Sequence, residues 1–322
     1  MTWLDELPDA QRALVVSAPA PRRAAAMKAV LSKERFSAPN WIFERKLDGI
    51  RCIAIRDADG VRLLSRNDLA MNGRYPEIAA ALERQPCERF AIDGEVVAMS
   101  HGQTSFSLLA QRGQRTVPVL LYAFDVLWLD GYDVRALPLR ARKRLLRERI
   151  DFAGPLRWTS HRNERGEELF AQACARGWEG LIAKRADSPY VATRSRDWLK
   201  FKCEMGQEMV IGGFTAPRGA REELGALLVG HYAADGTLRY AGKVGTGFTR
   251  ETLVTLGRAL RARRQDTPPF ADPPRERTAT WVAPELVAQI GFTEWTRHGR
   301  LRHPRFLGLR DDKPAREVVR EA

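Results

Sequence analysis

From Trp41 onward, apolar and polar positions alternate in short runs bounded by turn residues, the pattern of half-buried strands. Trp41–Arg45, Ile50–Arg56 and Val61–Arg66 are the first three runs, and Asp59-Gly60 turns the chain between the last two. Arg89–Met99 is a fourth, and Val117–Leu129 is a long apolar, aromatic run closed by Asp130-Gly131. Helical spacing interrupts them over Ile78–Arg84 and, more briefly, Phe106–Gln111. Leu139–Ile150 reads as a basic amphipathic helix with Leu145, Leu146 and Ile150 on one face, and Glu167–Arg176 as another helix. Strands return over Gly180–Lys184 and Trp198–Cys203.

Beyond Cys203 the texture changes. Val210–Phe214, Leu227–Tyr232 and Leu238–Val244 predict short strands, the last two joined by Asp235-Gly236 as a hairpin turn. One helix, Arg250–Arg263, a proline-rich loop (Pro268, Pro269, Pro273, Pro274) and strand-like pieces such as Gln289–Thr296 follow. Short strands, one helix and glycine-rich turns fit a small barrel of the OB kind. Before Trp41, a short helix near Ala10–Val16 precedes a Pro/Ala link. The division expected is therefore an N-terminal segment 1–40, a first domain 41–204 and a second domain 205–322, with the boundary near Glu204–Gln207. Hairpins outnumber βαβ crossovers, so the class is α+β with mostly antiparallel sheets and flanking helices.

Composition narrows the partners. The 322 residues carry 53 Lys+Arg against 40 Asp+Glu, a net charge of +13 that points to a polyanion, nucleic acid first. A solvated basic face with no partner is the alternative from charge alone. No apolar run approaches the ~20 residues needed to span a bilayer, and the acidic start (Asp5, Glu6, Asp9) does not read as a signal peptide. The expectation is a cytoplasmic, nucleoid-associated bacterial monomer with no membrane association. Cys52, Cys87, Cys174 and Cys203 lack C-x-x-C spacing, which argues against zinc and against disulfides and predicts four isolated reduced thiols.

The segment Glu44-Arg45-Lys46-Leu47-Asp48-Gly49-Ile50-Arg51 carries the most chemistry. It sets a lysine at a strand end before an Asp-Gly turn, with an arginine five residues on. A lysine nucleophile needs a neutral amine, and so an environment that depresses its pKa, through nearby cations or burial. Arg51 beyond the turn is suited to a phosphate. In isolation, Lys46 fits a solvated hairpin residue better than a nucleophile.

Further elements follow in order: Ser65-Arg66-Asn67, Asp93-Gly94-Glu95, Tyr122-Ala-Phe124-Asp125, Glu179-Gly180-Leu-Ile-Ala-Lys184, Arg194-Ser195 with Trp198-Leu-Lys200-Phe-Lys202, and Arg310-Asp-Asp312-Lys313. With Lys46-Leu-Asp-Gly-Ile-Arg51, this ordered set resembles the covalent nucleotidyltransferases, the family of ATP-dependent DNA ligases, RNA ligases and mRNA capping enzymes, across nearly all of residues 41–313. Tyr240–Phe248, Phe292–Thr296 and Leu301–Lys313 look like the OB domain of bacterial end-joining DNA ligases. The resemblance implies that Lys46 attacks the α-phosphate of ATP, and that Glu44, Arg51, Arg66, Glu95, Phe124, Arg194, Lys200, Lys202, Arg310 and Lys313 bind the nucleotide. It makes Glu95 and Glu179 ligands of Mg²⁺ (or Mn²⁺), which takes hard oxygen donors beside phosphates; read alone, both also fit strand-end acids in salt bridges. Phe124 is suited to stacking on adenine or to the core of its strand, and Trp295 and Phe306 to DNA stacking or to the barrel core. Asp68 stands where many ligases have glycine, which adds a negative charge near the pocket.

The implied polynucleotide is nicked or broken double-stranded DNA, with Ku or a separately encoded repair polymerase as partner, in end joining or excision repair. NAD⁺ is disfavoured as donor, because only 45 residues precede Lys46 and no four-cysteine zinc spacing occurs. An RNA ligase, a capping-type enzyme and, from another class, a non-catalytic nucleic-acid-binding module are the rival readings.

Overall fold

The computed structural model describes residues 2–23, 25–113, 116–203, 205–217 and 223–321. The chain divides into two compact units, 1–203 and 204–322. Glu204 itself lies outside the described residues. Residues 1–40 do not stand apart as the sequence suggested. Trp3 and Leu7 are buried in the first unit's core, and strand Lys28–Leu31, read as a link, pairs in parallel with Arg194–Lys202. The helix expected near Ala10–Val16 shrinks to Asp9–Arg12, because Val16–Ser17 leave it to pair with Tyr132–Asp133.

Two sheets build the first unit. The larger runs Val16–Ser17, Tyr132–Asp133, Val119–Leu129, Phe90–Ser100, Ile50–Asp57, Gly60–Ser65, with the short strands Leu156–Trp158 and Gln103–Thr104 paired beside this row. The smaller runs His161–Asn163, Trp41–Arg45, Gly180–Arg185, Arg194–Lys202, Lys28–Leu31. Most pairings are antiparallel, as the abundance of hairpins predicts; Leu156–Trp158 and Lys28–Leu31 pair in parallel.

Strand alternation sorts the side chains of each sheet onto two faces. From the larger sheet, Ile50, Cys52, Ala54, Ile92 and Val96 pack on one face with Ile78 and Leu82, Phe106 and Leu109, and Leu145 and Leu146 of the helices Pro76–Glu83, Phe106–Ala110 and Leu139–Arg149. Its other face gives Ile53, Ile55, Ala91 and Phe124 to a cluster that includes Trp198 of the smaller sheet. The two sheets thus meet face to face. Behind the smaller sheet, Phe43, Leu181, Ala183 and Phe201 cover helix Gly166–Ala175 through Ala173.

One covalent tie was not expected. Cys174, on that helix, and Cys203, just past strand Arg194–Lys202, form a disulfide with Cα atoms 5.3 Å apart. Their separation of 29 residues hides the contact from any spacing rule, because the helix and the strand end meet only in the folded sheet. Cys52 and Cys87 keep free thiols. Thiol titration of the unreduced, denatured protein is therefore expected to find two reactive groups. Reduction should lower stability by roughly 3–4 kcal/mol, the loop-closure value for a ring of this size. Four reactive groups without reductant would contradict the pairing.

In the second unit, the long strand Met205–Thr215 pairs with Leu227–Tyr232, Ala279–Val282 and Val287–Phe292, and Leu238–Val244 and Arg305–Arg310 extend the sheet on either side. It curls around a core of Met209, Ile211, Val229, Val244, Ile290 and Phe306, into which helix Arg250–Arg261 sends Leu256 and Leu260. This is consistent with an OB-type barrel. Phe306 belongs to its interior, stacked on Phe248 at 5.0 Å. Trp295 packs edge-on against Phe292 and His231.

Candidate active site

Lys46 lies where the chain passes from one sheet to the other. Trp41–Arg45 belongs to the smaller sheet and Ile50–Asp57 to the larger, so Asp48-Gly49 is a crossover and not the hairpin turn that its sequence also allowed. The crossover is held tightly. Lys46 N–H donates to Gly180 O at 2.9 Å, Asp48 N–H donates to Thr104 Oγ1, and Asp48 Oδ2 accepts from Phe106 N–H at 3.0 Å. A side chain at Gly49 would put its Cβ 2.2 Å from Val96 O, which accounts for the glycine.

The Lys46 ammonium pairs with the Glu179 carboxylate, and both side chains are mostly covered. Burial pushes the Lys46 pKa down. Glu179, then Asp48 and Glu95, outweigh it and hold the pKa above the ordinary lysine value. This reverses the expected depression, because the groups nearest the amine are carboxylates and not cations. Arg51, expected on a phosphate, is instead held by both oxygens of Asp93 and donates to Met27 O at 3.2 Å. Asp93 also accepts from Tyr190 Oη–H at 2.7 Å, and Tyr190 Oη accepts from Met27 N–H. The result is a buried brace across the interface of the two sheets.

Register places the remaining groups of the smaller sheet. Glu44 and Lys200 lie on either side of Ile182, Trp198 beside Lys184, and Lys202 beside Gly180. Cross-strand partners share a face, so Glu44, Lys184, Trp198, Lys200 and Lys202 all stand on the face turned to the larger sheet, opposite Phe43, Leu181 and Phe201. Lys200 and Lys202 are almost fully buried, while Arg194 is exposed and donates to Ala29 O. Phe124 is 8% exposed. Its ring meets Trp198 edge-on, and Arg51 and Lys184 lie within 5 Å of its centroid.

Glu44 is 2% exposed. Lys143 Nζ stands 2.5 Å from its Oε1 and Lys184 Nζ 2.6 Å from its Oε2. Burial would raise the Glu44 pKa, but the two lysines more than offset it and hold the carboxyl below its usual range. Lys184 in turn is pushed down to about 8, mainly by burial, against the pull of Glu44.

Arg66 is half-buried beside the turn that follows strand Gly60–Ser65. That turn gives the departure at Asp68 a physical reason. Asp68 has φ +61°, in the left-handed region that glycine enters freely and aspartate better than most residues. Ser65 Oγ braces the loop by accepting from Asn67 and Leu69 N–H. In the second unit, Arg310 makes a two-pronged pair with Asp312 at 2.7 Å and donates to Gln289, and Lys313 lies 3.4 Å from Glu208.

Two family models cover most of the chain. The "ATP dependent DNA ligase domain" matches residues 21–202, and the "ATP dependent DNA ligase C terminal region" matches residues 220–313. The chain belongs to the ATP-dependent DNA ligases.

The ligase is 40% identical over 295 residues to the multifunctional non-homologous end joining protein LigD of Pseudomonas aeruginosa, covering 87% of this chain and 35% of that protein. It is 40% identical over 290 residues to the LigD of Mycobacterium tuberculosis, covering 88% of this chain and 38% of that one. A DNA ligase of Thermococcus onnurineus is 31% identical, covering 86% and 52%. The chain thus spans from about a third to just over half of the length of these relatives. Among solved structures it is similar to mycobacterial DNA ligase D complexed with ATP and MES, at 36% identity and a TM-score of 0.69, covering 92% of this chain and 98% of that one.

Sequence reasoning missed the helix Leu139–Arg149 as a contributor to the ligase site. The sequence marks it only as basic and amphipathic, yet Arg142 and Lys143 are fully buried. Arg142 pairs with Asp125 at 2.8 Å, and Lys143 pairs with Glu44. A signal was present. Positions 139, 142, 143 and 146 share one helical face, so two cations stood in line with Leu139 and Leu146. Asp93 and Lys184 enter the sequence motifs with no role assigned, and Tyr190 does not enter them. For Mg²⁺ the donor set is spare: among the described residues no three His, Cys, Asp or Glu side chains form a metal-binding group. Glu179 and Glu95 beside Lys46 suit a hard cation that arrives with substrate phosphates, the usual magnesium arrangement.

Proposed function

We propose that the chain seals 5′-phosphate/3′-hydroxyl breaks in DNA through a covalent lysyl-AMP at Lys46. Lys46 Nζ, after loss of a proton, forms a bond to the α-phosphorus of ATP as the bond to the leaving pyrophosphate breaks. A DNA 5′-phosphate oxygen then takes the AMP and frees the lysine. A 3′-hydroxyl finally attacks the 5′-phosphorus and expels AMP. Steps of this kind depend on in-line positioning and charge neutralisation.

The observation that carries this reading is Lys46 itself, fixed at the crossing of two sheets with Glu179 against its amine, in a chain of the ATP-dependent DNA ligase family. Arg66, Phe124, Arg194, Lys200 and Lys202 would bind the nucleotide from the first unit, and Arg310 and Lys313 from the second. Arg51, braced by Asp93, would act by holding the floor of the pocket. Glu179 and Glu95 would hold Mg²⁺ together with the phosphates, and the ion would supply neutralisation of phosphate charge. Relatives named for non-homologous end joining favour double-strand breaks as the biological substrate. Ku or a separate polymerase as partner, and a monomer working on the bacterial nucleoid, are proposed from the sequence resemblance alone.

The test is incubation with α-labelled ATP and Mg²⁺, followed by a nicked-duplex sealing assay. Acid-labile label on the protein and sealed product are expected, and Lys46→Ala should abolish both. Labelling from GTP alone, or none from either nucleotide, would overturn the reading. Sealing only of nicked RNA would replace DNA by RNA as substrate.

A further inference from the structure

The buried polar atoms without hydrogen-bond partners include a group around Glu44. Thr159 Oγ1, Trp158 Nε1, His161 Nδ1 and Trp198 Nε1 all lack partners. Each adjoins the Glu44 cluster. Thr159, 4% exposed, gives its backbone oxygen to Lys143 Nζ at 3.0 Å. The Trp158 ring lies 4.9 Å from the same ammonium, and the Trp198 ring lies 4.1 Å from Lys184 Nζ. His161 is the strand partner of Glu44. Buried polar atoms rarely go unpaired, so a concentration of them marks a place that a polar ligand or water completes.

Glu44 stands among these groups with both carboxylate oxygens in contact with lysines. They differ in setting. Lys184 lies on the same sheet face as Glu44, against Phe124 and Trp198. Lys143 comes from the helix Leu139–Arg149 and is anchored to Thr159 O and Trp158. We propose that Lys143 is a positioning residue that fixes Glu44 as an ionised hydrogen-bond acceptor and thereby sets the preference for adenine over guanine. This rests on the ligase reading, with ATP as donor.

The chemistry follows from the purine edges. Adenine presents an amino donor at C6 beside the N1 acceptor, whereas guanine presents the O6 acceptor beside an N1–H donor. A fixed carboxylate accepts from the adenine amino group and opposes guanine O6, so it discriminates by repulsion as well as attraction. The ammonium of Lys184 supplies the matching donor for N1. Without Lys143, Glu44 becomes a buried acid with one cationic neighbour. It is then free to turn away or to take a proton, and a protonated carboxyl donates to O6 as readily as a carboxylate accepts from the amino group.

The experiment compares Lys143→Met and Lys143→Arg with the wild-type chain, all freed of bound AMP. Equilibrium binding of ATP and of GTP in EDTA is followed by tryptophan fluorescence, and lysyl-AMP and lysyl-GMP formation give KM and kcat. Lys143→Met is expected to weaken ATP binding about tenfold, to raise KM by a similar factor with kcat nearly unchanged, and to shrink the ATP:GTP ratio about tenfold. Lys143→Arg, which keeps the charge, should restore most of the ratio. A well-folded Lys143→Met with an unchanged ratio, or with equal losses for both nucleotides, overturns the proposal. If Lys143→Met shows no cooperative melt, Lys143→Gln, which can still donate to Thr159 O, is judged by the same criteria. A wild-type chain that binds ATP in preference to GTP but takes no label defeats the ligase reading alone, and the binding ratios still decide the role of Lys143.

Discussion

Arg142→Ala is expected to destabilise the protein by about 3–5 kcal/mol, the range for breaking a buried ion pair by removing one partner. Arg142 and Asp125 are both fully buried. The guanidinium grips both Asp125 oxygens, at 2.8 and 3.0 Å, and also donates to Ser188 O and Leu137 O. Alanine leaves Asp125 charged, buried and reliant on the N–H of Val126. It also removes the Arg142 donor to Leu137 O and leaves Ser188 O with the Leu139 N–H alone. Urea unfolding measures the loss. The double variant Arg142→Met, Asp125→Asn should lose less than the sum of the two single changes, because it removes the stranded charge. A loss below about 1 kcal/mol for Arg142→Ala would show that water reaches Asp125 and that the pair is not a buried one. An effect on nucleotide binding should accompany it. The helix, the Phe124 strand and the loop leading to Tyr190 meet at this guanidinium, and Tyr190 continues through Asp93 to Arg51.

Much of this site was readable in the chain. The long strands between Trp41 and Lys202 announced themselves by alternation, while short ones such as Leu156–Trp158 and His161–Asn163 did not, and the order of the short motifs pointed to Lys46, Glu95 and Glu179. What escaped has a common cause: it depends on which face of one element meets another. Asp48-Gly49 has the composition of a hairpin turn, and only the allocation of its flanking strands to different sheets makes it a crossover. Cys174 and Cys203 carry no spacing signal, because their contact is made by a helix lying across a sheet. Lys143 reads as one basic residue among several on a basic helix. Its role emerges once that helix is turned inward over Glu44. The sense of the Lys46 shift could not be read from the sequence either, since two carboxylates distant in the chain, Glu95 and Glu179, join the neighbouring Asp48 around it.

The second large effect is expected at a glycine. Gly180 has φ +147°, and a Cβ there would stand 1.8 Å from Phe201 O and 3.0 Å from Lys202 Cα. No rotamer can relieve this, because the obstacle is the backbone of the neighbouring strand. Gly180→Ala must therefore separate Gly180–Arg185 from Arg194–Lys202, or bend both. Either movement acts on the active site at once. Gly180 O holds the Lys46 N–H, and the preceding Glu179 holds Cys203 N–H through its carbonyl and the Lys46 amine through its carboxylate. The expected result is a loss above about 4 kcal/mol, or failure to fold, the size seen when strain at a special backbone position cannot relax. Any folded fraction should form no lysyl-AMP. Gly102 supplies the control. It too has a positive φ, +77°, but open space surrounds its missing Cβ. Gly102→Ala should cost only the left-handed strain, roughly 1–2 kcal/mol, and leave labelling intact. The difference between the two variants isolates the close strand approach from the dihedral. If Gly180→Ala melts like Gly102→Ala and still takes label from ATP, the approach of Gly180 to Phe201 is looser than described, and the fixed spacing between Glu179 and Lys46 is not what the chemistry requires.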